Sequence, residues 1–169
     1  MKSALVRSLY ACALPLFLLP LTARAQLTID IIGVGAQQIP VAVAGFAGQD
    51  PNAQQVSAVI EADLARSGRI KTISASTLPR SGDFASIPFG ELKARSADAV
   101  VIGSVQPAAN GQFNVSFRLA DVPKLSQLTG LVFTVGPRDL RATAHRIADI
   151  VYEQLTGEKG VFSTRLAYV

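Results

Sequence analysis

Ala99-Val100-Val101-Ile102-Gly103-Ser104-Val105, then Asn110-Gly111, then Phe113-Asn114-Val115-Ser116-Phe117-Arg118-Leu119, is the stretch on which the fold turns. The first segment is a buried strand by composition. Asn-Gly is the dipeptide that most readily supplies the positive φ angles of a hairpin turn. Beyond it Phe113, Val115, Phe117 and Leu119 alternate with Asn114, Ser116 and Arg118, the pattern of an antiparallel strand with one wet face. Leu131-Val132-Phe133-Thr134-Val135 predicts the next strand.

Upstream, Ile39 to Phe46 is apolar or small on both alternating sets, Val41 and Val43 against Ala42 and Ala44. Such a strand is covered on both faces. Asp50-Pro51 starts a helix, an N-cap side chain followed by proline at the first helical position. Val56, Val59, Ile60 and Leu64 recur at helical spacing, and Gly68 ends the helix near Ser67. Ile70 to Ile73 is a short strand. Residues 74–90, rich in serine, proline and glycine, predict a surface loop pinned by Phe84, Ile87 and Phe89, with a short helix from Glu91 to Arg95. Downstream, Pro137 opens a final helix with Leu140, Ala144, Ile147, Val151 and Leu155 on one stripe, stopped by Gly157. With Leu27-Thr28-Ile29-Asp30-Ile31 as a first strand, the order is β-β-α-β-β-β-β-α. That is an α/β (α+β) domain with a mixed sheet of about five strands and two main helices packed on it.

The amino end is a processing signal. Lys2 and Arg7 precede a mostly apolar run over residues 9–21, too short for a bilayer-spanning helix, which needs roughly 20 residues. Ala23-Arg24-Ala25 then supplies a small-x-small cleavage site, so cleavage is expected between Ala25 and Gln26. Cys12 precedes most of the apolar run, so it does not read as a lipoprotein cysteine. No membrane anchor is expected after processing. Removing Lys2, Arg7 and Arg24 lowers Lys+Arg from 16 to 13 against 12 Asp+Glu, a net charge of +1 over 144 residues. The pI near 9.6 therefore belongs largely to the discarded segment and argues for no nucleic-acid partner.

The remaining side chains exclude much chemistry. The chain has one cysteine, Cys12, and one histidine, His145. An internal disulfide, a multi-cysteine or multi-histidine metal site and an H-E-x-x-H helix are all ruled out. No serine sits in a G-x-S-x-G elbow. Gly33-Val34-Gly35 lacks the third glycine of a dinucleotide turn, since Gln38 stands there, and Pro40 precedes a strand instead of a helix. No catalytic residue, metal or cofactor is expected. His145, at the border of the apolar stripe, reads as a partly exposed structural histidine. Asp63 falls on the apolar side of the first helix and needs a partner, with Arg66 at i+3. Arg138, Arg141 and Arg146 alternate with Asp139, Asp149 and Glu153 as on a solvated face. The segment Gln26 to Gly35 starts at a free amino terminus, and it can either pair with its own sheet or add to the sheet edge of another protein.

The carboxyl-terminal run YEQLTGEKGVFSTRLAYV, Tyr152 to Val169, closely resembles a segment of the TolB family of the Tol-Pal envelope system. Ile39-Pro40-Val41-Ala42-Val43, Ala62-Asp63-Leu64, Ser67-Gly68 and Asp98-Ala99-Val100-Val101-Ile102-Gly103 resemble further family segments in the same order. The resemblance implies a signal peptide at residues 1–25, an amino-terminal domain at 26–159 and, at 160–169, the start of a truncated β-propeller. It implies a non-enzymatic periplasmic protein that supports outer-membrane integrity and envelope constriction during division. The family's amino-terminal segment contacts TolA, an inner-membrane protein. Matching positions here are Gln26, Leu27, Thr28, Ile29, Asp30, Ile31, Ile32, Gly33, Val34 and Gly35. Binding of a Pal-like lipoprotein is implied only where the propeller is present. The alternative is a small-ligand-binding or catalytic periplasmic domain that uses the 74–90 loop.

Overall fold

Five strands share one mixed sheet in the computed structural model, which describes residues 38–48, 51–73 and 75–164. Strand β1 (Ile39–Val43) leads through helix α1 (Pro51–Arg66) to β2 (Ile70–Ile73). A 3-10 turn at Phe84–Ser86 and the short helix α2 (Phe89–Ala94) precede β3 (Ala99–Pro107). Strands β4 (Phe113–Asp121) and β5 (Ser126–Val135) come next, and helix α3 (Leu140–Thr156) is last. The sheet order is β2-β1-β3-β4-β5. β1 pairs in parallel with β2 and β3, whereas β3, β4 and β5 form an antiparallel meander.

Both faces of the central strands are buried, as the composition of β1 predicts. On one face Val41, Val43, Val101, Phe117 and Leu119 pack against Ile60 and Leu64 of α1 and Ala144, Ile147 and Val151 of α3. On the other, Ala42, Val100, Ile102 and Ala120 lie under Leu78, Ile87 and Leu92, with Phe84 and Phe89 at the margin. The described part of the 74–90 segment is therefore the second cover of the sheet. Ile87 is buried there as expected, with Phe84 and Phe89 packed at the margin, and Leu78 is a further anchor beyond those expected.

Several boundaries differ from expectation. β1 stops at Val43, but the chain still runs along β3: the Ala44 N–H donates to Val101 O at 2.9 Å and the Ala47 N–H to Gly103 O at 2.8 Å. The irregular stretch drops the buried Phe46 ring onto Gly103. At the β3–β4 connection, Asn110 (φ 59°) and Gly111 (φ 71°) both take the left-handed conformation that Asn-Gly favours. The turn is longer than two residues, with a 3-10 segment at Ala109–Gly111. β5 starts at Ser126, five residues before the apolar run, because a bulge opposite Leu119 and Ala120 breaks its alternation. The preceding turn is held by Asp121, whose carboxylate accepts the Lys124 N–H at 2.8 Å and meets Lys124 Nζ at 3.2 Å. That main-chain bond holds the Asp121 carboxyl below its ordinary value. Among the described residues β5 is an outer strand; it has no charged residue and no proline, and it exposes Leu131 and Val132.

Gly103 is the tightest point of this arrangement. A Cβ there would lie 2.5 Å from Ser116 O and 2.6 Å from Cζ of Phe46. Gly103→Ala should therefore destabilise the fold by about 1–3 kcal/mol through overpacking. Urea unfolding checks this, and a paired Phe46→Leu change should recover part of the loss.

Candidate functional site

The amino-terminal segment Gln26 to Gly35 and the Ala25–Gln26 cleavage site lie outside the described residues. So do the predicted first strand and Asp50, the expected N-cap of α1; the described helix starts at Pro51. The described part of the 74–90 loop makes bonds within itself and to Arg95 at the end of α2. Asp83 accepts the Ala85 N–H at 3.3 Å, and Arg95 donates to Thr77 Oγ1 at 2.6 Å.

The polar centre of the domain lies between the two long helices. Asp63 comes from α1, where Ile60 and Leu64 on either side are fully buried, and it is itself only 5 % exposed. A carboxylate so placed needs hydrogen-bond donors. Its main partner is His145 of α3, whose Nδ1 lies 2.5 Å from Asp63 Oδ2. Arg66, the neighbour expected from spacing, reaches Oδ1 only at 3.6 Å and keeps 75 % of its side chain in solvent. The residue read as a lone structural histidine is thus the one that satisfies the buried carboxylate. The acceptor role of the carboxylate puts the proton on Nδ1 and leaves Nε2 as the ring's other polar atom.

Asp149 is the second departure. Its carboxylate accepts the Phe162 N–H at 2.7 Å and the Ser163 N–H at 3.1 Å, so it clamps the chain after α3 back onto that helix. Gly160 makes the approach possible, since a Cβ there would lie 2.5 Å from Asp149 Cα. The Phe162 ring meets Tyr152 edge-on at 5.8 Å, and the Tyr152 hydroxyl donates to Glu158 at 3.1 Å. Burial and then the Glu158 bond hold the Tyr152 phenol above its ordinary value of 10.0. Alternating charge on α3 conceals this clamp. The spacing of Gly157 and Gly160 after the helix is the one sequence signal that could have exposed it. Arg146 is likewise engaged, 5.2 Å above the Phe133 ring. Among the described residues, no three His, Cys, Asp or Glu side chains converge as metal ligands would.

These elements define a small α+β domain with a mixed five-stranded sheet, two helices on one face and a loop-and-helix cover on the other. Residues 27–128 match the TolB amino-terminal domain, and the chain belongs to the TolB family. It is 44 % identical over 164 residues to the Tol-Pal system protein TolB of Bordetella avium, covering 95 % of this chain and 37 % of that protein. It is 46 % identical over 148 residues to that of Nitrosomonas europaea, covering 88 % and 35 %. The crystal structure of TolB from Acinetobacter baumannii superposes with a TM-score of 0.64 at 29 % identity, over 75 % of this chain and 30 % of that one. The chain thus spans little more than a third of the length of these curated relatives.

His145→Ala should cost about 1–3 kcal/mol, because it strands a buried carboxylate. The Asp63→Ala/His145→Ala double variant should cost less than the sum of the single ones, a coupling that urea unfolding of the four-member cycle measures. Asp149→Ala should speed amide exchange at Phe162 and Ser163 while leaving that of β3 unchanged, as read by hydrogen–deuterium exchange. Folding favours the neutral Tyr152 phenol, so its contribution is complete below pH 10.0 and is lost as pH rises through the raised folded value. Tyr152→Phe should remove that part of the alkaline dependence in unfolding curves taken across pH.

Proposed function

We propose that this chain is a protein-interaction component of the Tol-Pal system. It works in the periplasm, after cleavage between Ala25 and Gln26, by docking its mature amino-terminal segment on a TolA-like inner-membrane protein. Its role there is support of outer-membrane integrity and of envelope constriction during division. The observation that carries the reading is the match to the TolB amino-terminal domain, together with identity above 40 % to proteins named for the Tol-Pal system.

One feature of the sequence is consistent with a docking role. Leu27-Thr28-Ile29-Asp30-Ile31 has the alternation of a strand, which lets main-chain hydrogen bonds supply affinity while alternate side chains supply fit. No helix among the described residues is long and apolar enough to cross a membrane.

Deletion of Gln26 to Gly35 tests the reading. Calorimetric titration against the carboxyl-terminal domain of TolA should show binding by the processed chain and its loss on deletion, with the melting temperature of the deleted chain unchanged. Equal affinity of the two chains would reject the docking role.

A further inference from the structure

The outer side of the α1/α3 layer carries a trough. One depression of about 350 Å³ is lined by Arg138, Arg141, His145 and the clamped residues Phe162 to Thr164. A second, of about 190 Å³, lies over Ala58, Val59, Ala62 and Arg66. Arg141 and His145 line both, which joins the two depressions end to end.

Charge in the trough is one-sided. Arg66, Arg138 and Arg141 line it, and the one carboxylate among its described lining residues, Asp63, is buried and already met by His145 and Arg66. Among the described residues neither Arg138 nor Arg141 is ion-paired. Asp149, close by on α3, is held by the Phe162 and Ser163 amides and does not line the trough. The floor is made of small side chains, Ala58, Ala62 and Ala142, which let a backbone approach closely. A protein whose processed charge is near neutral thus gathers unpaired cations in one concave strip.

We propose that this trough docks an acidic, extended segment of a partner protein. Spaced carboxylates of that segment meet Arg138, Arg141 and Arg66, its backbone runs over the alanine floor, and His145 Nε2 offers one further hydrogen bond. Guanidinium groups favour such a ligand because each can grip a carboxylate through two parallel N–H bonds. Concavity separates this partner from a bilayer, which is met by flat or convex surfaces with apolar anchors. The residues that carry this contact lie on α1, on α3 and in the segments flanking α3, so it gives the domain a second attachment point on elements other than the amino-terminal segment.

The test titrates the chain into a fluorescein-labelled deca-glutamate peptide at low ionic strength and monitors anisotropy. Saturable binding is expected. Arg138→Glu/Arg141→Glu should weaken it about tenfold or more, and salt should weaken it as well. Ala58→Trp, which fills the floor without changing charge, should also weaken it. Lys71→Glu/Arg118→Glu should not: by strand register these two residues face away from the helices, and the change in net charge is the same. Should the double arginine reversal disturb the far-UV spectrum, Arg138→Gln/Arg141→Gln makes the same comparison. Failure to saturate, or equal weakening by the Lys71/Arg118 pair, would overturn the proposal. So would arginine-dependent binding to phosphatidylglycerol vesicles in the absence of peptide binding, which would assign the trough to a lipid surface.

Discussion

β1 and β3 are apolar on both faces, and water must be kept from each side at once. That requirement shapes everything else in the domain. The parallel β1–α1–β2 unit puts α1 on one face, and α3 joins it there after the meander has closed the sheet. Among the described residues no long helix lies on the opposite face. It is sealed by an irregular chain whose anchors are Leu78, Ile87 and Leu92. Because a sheet buried on one side only would leave Ala42, Val100 and Ile102 wet, the loop-and-helix cover is as much a part of the fold as the helices.

Local periodicity exposed the parts of this design that repeat. The alternation of Val115, Phe117 and Leu119 and the stripe Leu140, Ala144, Ile147, Val151 are visible because one face of each element meets the core continuously. The first half of β5 is not visible, since an outer strand with a bulge and exposed leucines has no inside and outside set to alternate. Asp63 was legible as a problem but not as a solution. Its partner lies 82 residues away, and no spacing rule reaches across two elements. Asp149 was hidden for a related reason: a charged residue on a helix surface looks the same whether it faces water or two main-chain amides.

The two buried or half-buried carboxylates divide the labour on the helix layer. Asp63 ties α1 to α3 through a ring nitrogen, a polar contact beside their shared apolar core. Asp149 ties α3 to the Phe162–Ser163 segment beyond its last turn. With these acids satisfied internally, Arg138 and Arg141 have no counter-ion among the described residues. The local charge of the trough therefore follows from the placement of its carboxylates.

The Asp149 clamp also has a mechanical meaning. Tension applied to the chain beyond Thr164 reaches the amides of Ser163 and Phe162 before it reaches the last turn of α3. Those two bonds share the load with the Phe162–Tyr152 ring contact, alongside the helix instead of at its tip. A helix pulled at its end unravels one turn at a time, whereas a strap fastened along its side must break several contacts together. A pull from beyond Thr164 thus meets an anchor made by one aspartate and the glycine that lets the chain come close enough to reach it.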